Sequence, residues 1–356
     1  MKSSQKPISL YIHWPYCLSK CPYCDFASTA CSAVDEETLW PGYARDLMEL
    51  PAERPVQTIF LGGGTPSLMS PRFLERLLRA VESRTTLTSD CEITMEANPD
   101  AIDKDKMQAF RALGVNRLSL GVQALNAADL RFLGRRHTVQ TAMRRIEEAQ
   151  SVFDRINIDL IYARPNQTGN SWQAELEQAL RLGLTHYSLY QLTIEEQTVF
   201  CRRGISAADE EQAAVLYCLT DQVMAAAGLP AYEVSNYARP GQECRHNLTY
   251  WQGGDYVGVG PAAHGRIGQI ATQNPRTVRA WLDQGTQTET LTPEQKELER
   301  ILMGLRLRQE WLSLGQIDPR RVRQAIQNGW LEQSERGIRP TLAGILVLNH
   351  LILTLI

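Results

Sequence analysis

Six short apolar, β-prone runs recur along the chain, each followed by a stretch with helical spacing. They are Ile8–His13, Val56–Leu61, Cys91–Met95, Arg117–Gly121, Ile156–Ile161 and Thr185–Tyr190. Parallel strands cannot be joined by a tight turn and need a crossover, which is usually a helix. The alternation therefore predicts a parallel sheet covered by helices. Ala231–Ser235 reads as a seventh, weaker strand. The intervening helices show one apolar face. Leu39, Tyr43, Leu47 and Leu50 line up within Glu36–Leu50, and Phe73, Leu77, Leu78 and Val81 within Arg72–Glu82. Ala207–Ala227 is long and stops at Gly228, a favourable helix end.

Polar or glycine-rich groups follow the strands. A cysteine loop follows the first, Gly62-Gly63-Gly64-Thr65-Pro66 the second, and Glu96-Ala97-Asn98-Pro99 the third. Gln123 follows the fourth, Asp159 lies near the end of the fifth, and Gln191 follows the sixth. An open doubly wound sheet gathers ligand groups at one switch point, whereas a (β/α) barrel collects them from every strand end. The expected fold is α/β, a partial (β/α)6 TIM-like barrel over residues 1–235. After residue 236 the alternation fades into a Gly- and Pro-rich stretch, read as an irregular connector over 236–290. Thr292-Pro293 has the form of a helix start, opening an amphipathic helix over Glu294–Leu307. Residues 291–356 are expected to form a small, mainly helical, winged-helix-like domain with a hairpin near Gly337.

The loop after the first strand carries Cys17, Cys21 and Cys24 in C-x3-C-x2-C spacing. Iron–sulfur clusters are held by cysteine thiolates, and a four-iron cubane offers one site per iron. Three thiolates leave one iron open to a small molecule. Pro15 and Pro22 keep the loop from becoming a helix. A zinc site would more often pair such cysteines with a second Cys or His pair, and none is obvious downstream. No Gly-x-Gly-x-x-Gly fingerprint or P-loop lysine follows the glycine-rich turn, which disfavours a dinucleotide or NTP site.

Composition excludes some partners. The 356 residues carry 37 Lys and Arg against 40 Asp and Glu, a net charge of −3 with both signs mixed, so no electrostatic case for nucleic acid arises. The remaining five of eight cysteines are scattered, which fits a reducing compartment, and a cytoplasmic location is expected. The N-terminus, Met-Lys-Ser-Ser-Gln-Lys-Pro, shows no apolar region of a signal peptide. The apolar stretch Thr341–Ile356 is too short to span a bilayer and is interrupted by Asn349 and His350. It reads as a buried terminal helix, with peripheral membrane contact left open.

The cysteine spacing and the adjoining glycine turn resemble the radical SAM superfamily. In that superfamily the open iron of a 4Fe-4S cluster binds S-adenosylmethionine, whose reductive cleavage yields a 5′-deoxyadenosyl radical. Almost end to end, the chain resembles the coproporphyrinogen-oxidase-like branch. That resemblance implies cluster ligation by Cys17, Cys21 and Cys24. It implies contacts to S-adenosylmethionine from Tyr11, Tyr23, Gly63, Gly64, Thr65, Glu96, Gln123, Arg135 and Asp159, with Arg136 adjacent as an alternative register.

Two features place the chain within the branch. Coproporphyrinogen dehydrogenases carry a further cysteine two residues after the motif, where this chain has Phe26. His246-Asn247-Leu248-Thr249-Tyr250-Trp251 fits the His-Asn-x-x-Tyr-Trp pattern of the branch's heme chaperones. Imidazole is a common heme ligand, and Tyr and Trp offer flat faces with polar edges. His246, Asn247, Tyr250 and Trp251 are thus heme candidates, with Cys244 and His264 as nearby alternatives to His246. The resemblance implies a chaperone that hands heme to apo-proteins of respiration, with a homodimer left open. The competing readings are a coproporphyrinogen III dehydrogenase and a radical enzyme on another substrate. The chain departs from the family pattern at Ala163-Arg164-Pro165-Asn166-Gln167-Thr168, where relatives tend to read Gly-Leu-Pro-Gly-Gln-Thr. It departs again around Ala262-Ala263-His264-Gly265, and both departures put local loop geometry in doubt.

Overall fold

The computed structural model describes residues 6–356; residues 1–5, at the start of the segment read above for a signal peptide, lie outside the described residues. Six parallel strands form the centre of one sheet in chain order. They are β1 (Ile8–Trp14), β2 (Val56–Gly63), β3 (Leu87–Ala97), β4 (Arg117–Gln123), β5 (Arg155–Tyr162) and β6 (His186–Gln191). Each pairs in parallel with the next. The crossovers carry α1 (Glu36–Met48), α2 (Pro71–Arg84), α3 (Lys104–Ala112), α4 (Val139–Gln150) and α5 (Gly169–Leu180), and α6 (Glu210–Ala226) follows β6. Their starts are set by local chemistry. Asp35, Ser70, Asp103, Thr138, Thr168 and Asp209 each accept a backbone N–H of the first turn.

Strand centres sit about 4.8 Å apart, so β1 and β6 would stand about 24 Å apart in a flat sheet. Yet groups from the ends of all six strands line one cavity. The sheet is therefore curled. Its outermost strands do not pair, and the barrel stays open.

The seventh strand differs from expectation. Ala231 makes only an isolated bridge to Tyr237, and the strand proper is β7 (Asn236–Ala238), antiparallel to β6. The Glu233 carboxylate accepts from Ser235 N–H (3.1 Å) and Asn236 Nδ2 (2.5 Å), which turns the chain back before the strand begins.

The stretch read as an irregular connector is also more ordered than expected. After α7 (Arg245–Trp251), β8 (Tyr256–Val259) adds in parallel to the free edge of β1. Three antiparallel strands follow, β9 (His264–Ile267), β10 (Ile270–Gln273) and β11 (Gln287–Thr290). The glycines here permit close approach rather than breaking structure. A Cβ on Gly258 would sit 2.1 Å from the His264 carbonyl oxygen. Buried Asp46 of α1 ties this segment down, accepting from Gly260 N–H (3.0 Å), Asn274 Nδ2 (2.7 Å) and Trp281 Nε1 (2.8 Å).

The C-terminal residues form α9 (Pro293–Gly304), after the short α8 (Val278–Gln284), then α10 (Pro319–Gln327) and a hairpin of β12 (Leu331–Ser334) and β13 (Gly337–Pro340). The final apolar stretch is two short helices, Leu342–Leu346 and Leu348–Leu355, which bury Leu348, Leu351, Ile352 and Leu355. Among the described residues no helix is long and apolar enough to cross a membrane.

Candidate functional site

Beyond β1 the chain makes a short parallel bridge, Tyr16–Cys17 against Thr29–Ala30, so the intervening residues fold back as one loop. Lys20 Nζ donates to the Phe26 carbonyl (2.8 Å), and Cys24 N–H to that of Cys21 (3.1 Å). Phe200 N–H donates to the Pro22 carbonyl (2.9 Å), docking the loop on the chain beyond β6. This arrangement sets Cys17, Cys21 and Cys24 along one side of a cavity of about 370 Å³ at the C-terminal ends of β1–β6.

Among the described residues no three His, Cys, Asp or Glu side chains close into a shell around a single ion. A cubane does not ask for that, because each thiolate binds a different iron. Three thiols spaced along a cavity wall suit a cluster better than a zinc ion. Arg135 Nη1 donates to Cys21 Sγ (3.3 Å), as suits a thiolate.

The adjoining wall is built by the ends of β2 and β3. Gly63 has φ +106°, and a Cβ there would meet the His13 ring at 2.6 Å, so only glycine lets the turn lie against β1. Its N–H donates to Glu96 Oε2 (3.2 Å). Gly64 and Thr65 N–H groups bond to Trp14 and Tyr16 carbonyls (2.7 and 2.8 Å). Thr65 Oγ1 accepts from Asn98 Nδ2 (2.9 Å), and Asn98 Oδ1 accepts from Arg135 Nη2 (2.5 Å). Arg135 also reaches the Gly121 carbonyl (2.8 Å). One guanidinium thus joins the cysteine loop, β3 and β4. Arg136 pairs instead with Asp100 (3.5 Å), and of the two arginines it is Arg135 that lines this cavity.

Gln123 lines the same cavity with φ 71°, a left-handed conformation rare for a side-chain-bearing residue. Asp159 accepts from Asn157 Nδ2 (2.7 Å) and Ser119 Oγ (3.2 Å), but burial still raises its pKa. Burial raises Glu96 to about 8, and the nearby Asp159 adds to the effect. Glu96 has one backbone donor and faces the cavity. A cationic amino group or ribose hydroxyls would complete its bonding, which is the chemistry S-adenosylmethionine carries. Tyr23 lines the cavity and packs on Phe200 at 6.2 Å between ring centroids.

Tyr11 does not line this cavity. It lines a second one of about 480 Å³ beside it, where its hydroxyl pairs with His13 Nδ1 (3.0 Å). The two cavities share Asp25, Phe26, Gly63 and Glu96.

The His-Asn-x-x-Tyr-Trp run lies on α7, and its side chains diverge. His246 is 1% exposed and stacks on Phe60. Its Nδ1 pairs with Thr58 Oγ1 (2.8 Å) and its Nε2 with Tyr250 Oη (2.8 Å). Burial lowers its pKa to about 3. In this arrangement both ring nitrogens are engaged, and His246 packs in the interior and lines neither cavity. Cys244 is also fully buried, beside Glu92, with its thiol raised to about 12. Asn247 is half-buried and lines neither cavity. Trp251 turns toward Arg306, whose guanidinium lies 5.6 Å from the ring centroid. Tyr250 alone of the four faces the second cavity, joined there by His264. Reading the sequence missed Asn98 and Tyr190 on the first cavity and Tyr256 and Arg276 on the second. For Asn98 the signal was present, since it lies in the polar run that ends β3.

A sequence profile of the radical SAM superfamily matches residues 11–179, and one of the HemN C-terminal domain matches residues 291–347. The chain is 38% identical to the mitochondrial radical S-adenosyl methionine domain-containing protein 1 of Bos taurus, over 98% of this chain and 87% of that one. It is 42% identical to the heme chaperone HemW of Escherichia coli K12, over 73% of this chain and 70% of that one. The solved coproporphyrinogen III oxidase HemN of Escherichia coli, a radical SAM enzyme, superposes with a TM-score of 0.83. That match covers 98% of this chain and 90% of HemN at 22% identity, a likeness of fold. The superfamily implies a 4Fe-4S cluster and S-adenosylmethionine as cofactors. With relatives this similar along most of its length, the chain belongs to the HemW family of radical SAM proteins.

Proposed function

We propose that this protein is a heme chaperone on a radical SAM scaffold, which binds heme and delivers it to apo-proteins. The observation that carries the reading is the second cavity, wide and aromatic-lined, opening beside the one that holds the three cysteines. Phe26, 58% exposed, stands between them at the position where coproporphyrinogen dehydrogenases carry a cysteine. The name of the Escherichia coli relative agrees.

In this reading Cys17, Cys21 and Cys24 hold the cluster. Tyr23, Gly63, Gly64, Thr65, Glu96, Gln123, Arg135 and Asp159 surround S-adenosylmethionine, and Tyr11 supports that site from the adjoining cavity. Cluster and cofactor together supply one-electron cleavage of a sulfonium. The protein's own part is to orient. Glu96 receives the amino group, the Gly63–Thr65 backbone lets it approach closely, and Arg135 holds the cysteine loop against β3 and β4. The proposal includes respiratory apo-proteins as clients and a cytoplasmic location. A homodimer and contact with the membrane surface are extensions read by sedimentation and by co-flotation with vesicles.

The test is an anaerobic heme titration of the reconstituted protein, followed by mixing with an apo-cytochrome. Saturable, stoichiometric binding and transfer are expected. Failure to bind heme, or conversion of coproporphyrinogen to protoporphyrinogen, would overturn the chaperone assignment in favour of a radical enzyme.

A further inference from the structure

We propose that heme is received in the second cavity with His264 facing the iron and Arg276 facing a propionate. This rests on the heme-chaperone reading above and assigns its ligand site.

The histidines decide by elimination. The chain has six. His13 pairs with Tyr11 and with the Ala27 carbonyl, and His186 with Asn157 and Tyr232. His246 is bonded at both nitrogens and sealed against Phe60. His137 bonds to the Val122 carbonyl, and its other nitrogen is buried. His350 is on the C-terminal helices, edge-on to Trp330. His264 is exposed, lines the second cavity, and among the described residues its ring has no hydrogen-bond partner. It opens β9 opposite Gln273, so the pairing with β10 fixes its backbone while its ring stays free at the cavity. Burial and Arg266 lower its pKa, which favours the neutral imidazole that ligates metals.

The remaining wall suits a porphyrin. Phe26 offers an exposed apolar face, and Tyr250 and Tyr256 meet edge-to-face at 4.5 Å. Flat aromatic surfaces of this kind pack on a flat ring. Arg276 spends one Nη on the Asp25 carbonyl (2.8 Å) and is otherwise exposed at the cavity, a donor for a carboxylate. About 480 Å³ falls in the usual range for small-molecule and cofactor sites.

The experiment is an anaerobic titration of the cluster-reconstituted full chain with heme, read by the Soret band and by electron paramagnetic resonance. Wild type is compared with His264→Ala, His246→Gln and Arg276→Gln. Unchanged cluster absorbance reports that each variant is folded. His264→Ala is expected to shift the Soret maximum and weaken binding about tenfold or more, equivalent to one decade in Kd. Added imidazole should restore the wild-type band. Arg276→Gln should weaken binding about threefold to tenfold without moving the band, as loss of a charge-assisted contact does. His246→Gln should leave the band in place. An unchanged band in folded His264→Ala, or a change confined to His246→Gln, overturns this site but leaves the chaperone reading standing. If wild type itself binds no heme, the chaperone reading fails.

Discussion

Arg164 stands where relatives tend to place leucine, and it is 2% exposed. It lies just beyond β5 and forms an ion pair with Glu175 of α5, itself 6% exposed, and a second with Asp129 at 3.0 Å. Glu175 also accepts the Leu125 N–H (2.6 Å). Restoring leucine alone, Arg164→Leu, leaves a buried carboxylate with one backbone donor. Removing one partner of a buried pair costs about 3–5 kcal/mol, a large part of the roughly 5–15 kcal/mol that stabilises a domain. The retained Leu125 bond places the expected loss near the lower end, about 3 kcal/mol. Arg164→Leu combined with Glu175→Gln removes both charges, and the amide oxygen can still accept from Leu125. That double variant should fall within about 1 kcal/mol of wild type, since buried ion pairs seldom outperform neutral replacements. Urea unfolding followed by circular dichroism measures the difference, with the slope m unchanged if only stability moves. A single variant as stable as wild type, or a double variant as weak as the single, would refute the reasoning that an uncompensated Glu175 charge sets the cost.

Three further outcomes are expected. Glu96 keeps its proton in the folded protein to about pH 8. The unfolded chain loses it near the ordinary carboxylate value, so wild-type stability falls as pH rises across that window. Glu96→Gln should match wild type near pH 4 in cofactor-free protein and exceed it by on the order of 4 kcal/mol at pH 8; parallel pH profiles would contradict this. Ala163 and Ala262 hold φ of 57° and 61° where a glycine would be unstrained. Ala163→Gly should stabilise by about 0.5–1 kcal/mol, the left-handed strain relieved less the added chain entropy; a lower urea midpoint would contradict it. Cys21→Ser should abolish the four-iron absorbance after anaerobic reconstitution, and retention of full absorbance would remove Cys21 from the ligand set.

The two departures from the family pattern show how local rules and tertiary context divide the outcome. The departures at 163–168 and around 262 put their loops in doubt, yet Ala163, Asn166 and Ala262 hold left-handed conformations at φ 57°, 63° and 61°. The surrounding fold over-determines them and holds the strain. Gln123 could not be read this way, because nothing in its neighbours announces φ 71°.

What the sequence determined on its own was short-range. The two periods of apolar residues located the six strands and the helical stretches between them, and Thr292-Pro293 located the start of α9. The C-x3-C-x2-C spacing brought three thiols into one loop. Each of these depends on neighbours a few residues apart, where backbone geometry alone dictates who meets whom. Side-chain direction across elements was decided only by the tertiary structure. The stretch after residue 236 lacks a repeating period because its strands are short; β8 becomes a strand by pairing with β1 across more than two hundred residues, and β9, β10 and β11 build outward from it. His246 and His264 are both histidines of that stretch. Packing of α7 on β2 seals the first against Thr58 and Phe60, and the start of β9 places the second, exposed, on the cavity wall.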